Sequence, residues 1–193
     1  MPAMAIISLV PVLPLLLEEF SEVKGSQFLV PIAMTIPALC VAIFSPFAGW
    51  ISDKFGRKPV LISSLIIYAI IGVVPFFLQS LVQIIAARVV LGIAEAAIMT
   101  VATALIADYF TGRQRQRWVS IQIATVSLSA IALIAVGGLL GEFLGSRGPF
   151  LLYLVALPIA LFSAILLFEP PQRAQEGNNA LPLPWARILP LLL

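Results

Sequence analysis

Two charged side chains stand where charge is expensive. Arg88 and Glu95 fall inside one apolar run and are the only charges well inside such a run. A charge at the centre of a bilayer costs about 2.5–3.5 kcal/mol on insertion scales, so such residues face a cavity or a partner. Seven residues apart on a helix, they share one face, with about 10 Å of rise between them. That is too far for easy direct pairing, so each is expected to face the bundle interior with its own neighbour. Two readings remain open. Glu95 can act as a protonatable group in ion or substrate coupling. Equally, both residues can be structural, with partners elsewhere.

A second group is GWISDKFGRK, positions 49–58. Gly49 lets two helices approach closely at a membrane edge. Gly56 allows a tight turn. Asp53 is an acceptor near the next helix, and Arg57 can donate to it, or to another carboxylate, in a fork. Lys58 completes the pattern G-x-x-x-D-x-x-G-R-K. A solvated basic loop that only sets topology would not need that order. Further along, Gly137, Gly141 and Gly145 recur every four residues with Gly138 beside them, a small-residue face for close helix packing. Gln122, Thr125, Ser127 and Ser129 can line a polar path or bond to their own backbone.

The elements that must hold these residues follow from composition. The chain has 193 residues, 61% hydrophobic and 10% charged, with mean hydropathy +1.11. Soluble chains are about 25% charged. A lipid bilayer is therefore the expected solvent for most of the length. The pI of about 9.0 does not point to nucleic acid, because the basic residues are few and lie in short gaps. There is no histidine and one cysteine, Cys40, which excludes histidine relays, Ser–His catalysis and an internal disulfide. No cluster suits a metal, and no phosphate-cradling loop appears. The chain is read as no enzyme, with no cofactor and no metal.

Six apolar runs are long enough to span, near 1–19, 27–51, 59–78, 81–108, 118–142 and 149–168. They are continuous rather than alternating, so helices are expected. The first run lacks a basic start and a cleavage site and reads as a span that lacks its first residues, not a signal peptide. The fold class is an all-α membrane protein with a six-transmembrane-helix bundle over 1–168. A linker over 169–184 and the start of a seventh helix over 185–193 follow. Lys54, Arg57, Lys58, Arg113, Arg115, Arg117, Arg173 and Arg187 fall on one side, against Lys24 and Arg147 on the other. The first side is expected to be cytoplasmic, with both ends of the bundle there. Segment 111–117 (TGRQRQR) is read as a basic loop that sets topology or touches anionic lipid. Glu18 and Glu19 read as a solvated boundary on the outer side. Prolines within the runs (Pro11, Pro14, Pro31, Pro37, Pro46, Pro75, Pro158) suit a bundle that opens and closes, or merely shape packing.

Segment 49–58 resembles the signature loop between the second and third helices of the major facilitator superfamily, at Gly49, Asp53, Gly56, Arg57 and Lys58. Arg88, Gly92, Ala94, Ala96 and Ala97 resemble that family's fourth-helix motif, R-x-x-x-G-x-(small). The resemblance covers nearly the whole chain but only the first half of a twelve-helix member. It implies a conformational latch in which Arg57 meets Asp108 at the end of the fourth helix and Asp53 meets the second half. It also implies a small organic solute bound between two halves and moved by alternating access. Proton-coupled efflux is the first expectation; metabolite uptake by symport and a truncated, non-transporting module are the alternatives. Family antiporters place a proline before paired glycines where this chain has Ile134, which weakens the antiport expectation. Arg88, Glu95 and Gln122 are the coupling or substrate candidates, and Gly92, Gly137, Gly138 and Gly141 the packing residues. The implied partners are a small-molecule substrate, a proton or other ion, the lipid bilayer, and a missing C-terminal half or second copy. The expected location is the bacterial inner (plasma) membrane.

Overall fold

The computed structural model describes Ile7 and residues 9–170. Of the expected linker only Glu169 and Pro170 are described; the rest of it and the seventh helix lie outside the described residues. A 3-10 turn, Val10–Val12, leads into α1, Leu13–Glu19. The long helices α2, Ser26–Phe55, α3, Arg57–Phe77, α4, Leu81–Tyr109, and α5, Gly112–Leu144, follow. A 3-10 stretch, Gly145–Val155, then enters α6, Ala156–Leu166. Among the described residues there is no strand. Among the described residues, four helical stretches are long and apolar enough to cross a membrane: Ser26–Phe55, Arg57–Phe77, Leu81–Tyr109 and Gly112–Leu166.

Six continuous spans are therefore met only in part. Pro11 and Pro14 each lie in the first turn of a new short segment rather than inside one helix, where the missing N–H costs least. Gly145, at φ +73, ends α5. Gly148 then lies so close to the Leu140 carbonyl that a Cβ could not fit, so the chain folds back on α5. Pro158 falls in the first turn of α6. Pro31, Pro37, Pro46 and Pro75, by contrast, lie inside unbroken helices.

The connections at one end are shorter than the sequence suggested. Asp53 and Lys54 belong to α2 and Arg57 to α3, so the connection is the single residue Gly56 at φ +96. Segment 111–117 is not a loop: α5 begins at Gly112 and carries Arg113, Arg115 and Arg117. Arg and Gln are good helix formers, and nothing there breaks the run. At 30 residues, α2 is about 45 Å long, beyond the roughly 30 Å of hydrocarbon.

Helix α4 is the axis of the bundle and packs chiefly on α2 and α3. Its buried residues form a broad stripe, from Leu81 and Ile84 through Arg88, Leu91 and Glu95 to Val101 and Leu105, while Val82, Val90 and Ile93 on the other side are exposed. Gly92 makes the α2 contact possible, since a Cβ there would stand 2.7 Å from Cys40 Cβ and 2.8 Å from Pro37 Cα. Helix α5 lies at the outside and buries only Gly137 and Gly141. Gly141 rests on Val12, while a Cβ on Gly138 would meet Pro11 at an ordinary 3.7 Å. Gly145 is a turn residue with open space around it, not part of the packing face. Outward apolar side chains such as Phe28, Phe77, Phe143 and Leu166 are exposed, as a lipid-facing surface requires.

Gly92→Ala is expected to lower the thermal stability of the purified protein by about 1–3 kcal/mol, the usual cost of overpacking. Gly138→Ala should leave the melting temperature unchanged or slightly raised. Equal melting temperatures for the two variants would contradict the close approach of α2 and α4.

Candidate functional site

At the end where α2 meets α3, four chain segments converge on Arg57. Its guanidinium contacts Asp53 Oδ1 at 3.1 Å, one helical turn back across Gly56. It also forms an ion pair with Asp108 at the end of α4, and Nη1 lies 3.5 Å from Ser52 Oγ. Asp53 is 64% exposed and Asp108 21%. The Asp108 pair carries more energy, because an exposed pair is screened and worth little. Gly49 faces Thr100 of α4 at ordinary contact distance. Lys54 lies over the rings of Trp50 and Phe55, at 5.3 and 5.5 Å from their centroids.

The fourth segment was not anticipated. Glu169, just beyond α6, accepts hydrogen bonds from the backbone N–H groups of Arg57 (2.6 Å) and Lys58 (2.8 Å). These are first-turn donors of α3 that have no partner within the helix, and a carboxylate suits that positive end. Tyr109 donates its hydroxyl to the Phe168 carbonyl, and the two rings stack with centroids 4.5 Å apart. The signal in the sequence was an acid directly after an apolar run, at the same end as an uncapped helix start. Lys58 thus enters the cluster through its backbone.

The interior residues are also placed apart, as their spacing implied. Arg88 is 1% exposed and Glu95 3%. Arg88 Nη1 donates to Tyr153 Oη at 2.6 Å. Its guanidinium carbon lies 4.9 Å from the Phe150 ring centroid and 5.4 Å from that of Tyr153. Its Nη2 is buried without a hydrogen-bond partner among the described residues. A phenol and two aromatic faces thus surround the cation, a favourable but incomplete substitute for a carboxylate. Tyr153 in turn packs against Tyr68 of α3, ring centroids 5.2 Å apart. Gly72, one turn from Tyr68, leaves room for the Tyr153 ring that no Cβ would allow.

Glu95 borders a cavity of about 610 Å³ between α2, α4 and α5, with Ala38, Met99, Thr103, Gln122 and Ser127 on its walls. Gln122 Nε2 donates to Thr103 Oγ1 at 3.4 Å, tying α5 to α4. Thr125 and Ser127 donate to the backbone carbonyls of Ile121 and Ile123, which spends their donors inside α5. A second cavity of about 400 Å³, reaching towards α6, shares Met99, Gln122 and Val126 with the first. Gln122 therefore stands between the two.

The opposite end carries its own clasp. Glu19, the last residue of α1, accepts from Arg147 Nε (3.0 Å) and Nη2 (2.6 Å) and from Ser146. Arg147 Nη1 reaches the Phe76 carbonyl of α3 at 3.5 Å. Glu19 is 29% exposed, so it is a bonded partner rather than a free solvated boundary. Among the described residues no three His, Cys, Asp or Glu side chains come together to hold a metal.

The chain is 36% identical over 179 residues to the tetracycline resistance protein, class B, of Escherichia coli, covering 92% of this chain and 44% of that protein. Multidrug resistance protein 1 of Bacillus subtilis (strain 168) is 29% identical over 170 residues, 88% of this chain and 43% of that protein. Quinolone resistance protein NorB of Staphylococcus aureus (strain Newman) is 33% identical over 157 residues, 80% and 33%. The chain spans less than half the length of these relatives. The model of the Major Facilitator Superfamily matches residues 2–193. No part of the bundle described above falls outside that match, and the chain belongs to the Major Facilitator Superfamily.

Proposed function

We propose that this chain is the N-terminal half of a secondary transporter that exports a small organic compound by alternating access, with Glu95 as the group that exchanges a proton. The observation that carries this reading is a buried carboxylate on the wall of a large, mostly apolar cavity. A carboxyl there is costly when ionised and neutral when protonated, so its proton can be traded against movement of the bundle. Similarity to proteins named for tetracycline, multidrug and quinolone resistance supports the direction of transport and a small organic substrate. Gln122 is the polar contact for substrate on the facing helix.

On this reading six helices form the half-bundle. α1 and α6 complete their spans with the short segments beside them. The end that carries Arg57, Arg113, Arg115 and Arg117 is cytoplasmic by its excess of basic residues, and the membrane is the bacterial inner membrane. Residues 169–184 are the linker to a second half that begins near residue 185, and that half closes the cavity. A second copy of this chain is the other way to close it. Asp53, Arg57 and Asp108 form the cytoplasmic latch, with Gly49 and Gly56 shaping it and Lys58 beside it. Glu169 ties the latch to the connection between the halves.

Two outcomes test this. In cells that express the full-length protein, ethidium or tetracycline should be retained less than in cells without it. Glu95→Gln, which holds the side chain neutral, should abolish the difference, as should collapse of the proton gradient. Unchanged retention with every compound tried would remove the export reading. Separately, Asp108→Asn should cost the latched state about 1.5 kcal/mol, a typical value for a hydrogen bond to a charged group. That is roughly a tenfold shift in the ratio of cytoplasm-open to cytoplasm-closed molecules, readable by distances between spin labels. No shift would mean that Arg57–Asp108 is structural only.

A further inference from the structure

Arg88 and Glu95 share a helix face without an ion pair between them, and two buried tyrosines pack beside Arg88, Tyr153 directly and Tyr68 through it. Tyr68 and Tyr153 are both 0% exposed. Tyr153 is bonded to Arg88 and in ring contact with Tyr68. Tyr68 lies within electrostatic reach of Tyr153, Glu95 and Arg88. The bond from Arg88 to Tyr153 is in place; two more of about 2.7 Å, through Tyr68 to Glu95, would make a line of roughly 8 Å, close to the rise of about 10 Å that separates positions seven apart. The polarity of such a chain is set at its ends. A guanidinium only donates, so Tyr153 Oη must accept from Arg88, which turns its own proton outward. An ionised carboxylate only accepts. A run from Arg88 through Tyr153 and Tyr68 to Glu95 is therefore consistent in direction when Glu95 is ionised. A protonated Glu95 that donates into the run meets a donor from the other side. One tyrosine proton is then left without an acceptor, at the usual penalty for a buried donor.

We propose that Tyr153 and Tyr68 are positioning residues that transmit the charge state of Glu95 to Arg88. The proposal rests on the reading of Glu95 as the proton-exchanging group. The surroundings keep the line simple. The described walls of the cavity from α2 and α5 present no titratable side chain towards Glu95. The charged or titratable groups around the line are Arg88 on α4, Tyr68 on α3, Tyr153 in the 3-10 stretch and the Cys40 thiol of α2, which packs at Gly92 between Arg88 and Glu95. The spare Arg88 Nη2, buried and unpaired among the described residues, leaves the guanidinium free to answer a change at Tyr153 by a small rotation. The line also joins three separate elements, so a change at Glu95 reaches the junction of α3, α4 and the stretch before α6.

A double-mutant cycle on the full-length protein tests this. The readout is the ratio of the two conformations, from distances between spin labels on the two halves, together with its dependence on pH. In the otherwise unchanged protein, Glu95→Gln should alter the ratio roughly fivefold or more, the lower end of coupling between linked sites. In Tyr153→Phe and in Tyr68→Phe the same change should have less than half that effect, and the pH dependence should flatten. Both substitutions keep the ring and its packing, and a thermal melt of each confirms that the bundle is intact. A full Glu95→Gln effect in both phenylalanine backgrounds overturns the bridge and leaves Glu95 as the coupling group. No effect of Glu95→Gln in any background overturns the bridge and the coupling reading together.

Discussion

A permanent charge in the middle of an apolar bundle is the constraint around which the rest is arranged. A guanidinium does not shed its charge when buried, and lipid offers it nothing. Arg88 can stand in α4 only if neighbouring elements bring it a polar acceptor and polarisable faces. Tyr153 and Phe150 do so from the 3-10 stretch, which must therefore fold back across the bundle to reach α4. Gly72 removes the side chain that would keep Tyr153 away. Gly92, one turn beyond Arg88, lets α2 approach so closely that the lipid is shut out. The packing of the core thus follows from the need to shelter one side chain.

The two ends of the bundle solve a related problem in the same way. At each, an arginine fork joins elements that are not neighbours in sequence. Arg57 links the end of α2 to the end of α4, and Arg147 links the connection after α5 to the end of α1 and to α3. A planar guanidinium can serve several acceptors at once, which a lysine cannot. Between these clasps α1 to α4 and α6 are held together, whereas α5 buries only two glycines. The main cavity lies along α5, so the wall of the candidate site is also the helix that buries the smallest share of its residues. That combination suits a wall that moves against its neighbours, as the proposed transport cycle needs.

Membership, helical class and the outline of the middle helices were legible from the chain alone. Apolar run length fixes where helices cross, because lipid forbids an unsatisfied backbone. The spacing of Asp53, Gly56 and Arg57 is local, so their clustering across one turn was readable. The separation of Arg88 and Glu95 was readable too, since helical rise is a constant. Less legible were the termini of helices. The charges of segment 111–117 suggest a solvated loop, but charged residues continue a helix past the membrane edge. The first run broke into shorter segments around Pro11 and Pro14, and the last changes from 3-10 to α-helix between Val155 and Ala156, where apolar content says nothing of backbone geometry.

What only the tertiary structure decided was which partner each isolated polar group found. Glu169 meets the start of α3 across 112 positions of chain, Tyr153 meets Arg88 across 65, and Arg147 meets Glu19 across 128. No period or motif encodes such distances. They depend on how the helices tilt and where the chain turns back. Composition and spacing determined that the protein lives in lipid, that its helices cross it, and which few charges had to be accounted for. The fold determined how they were neutralised, because in a bundle the partner of a buried charge is chosen by the neighbouring helix and not by the neighbouring residue.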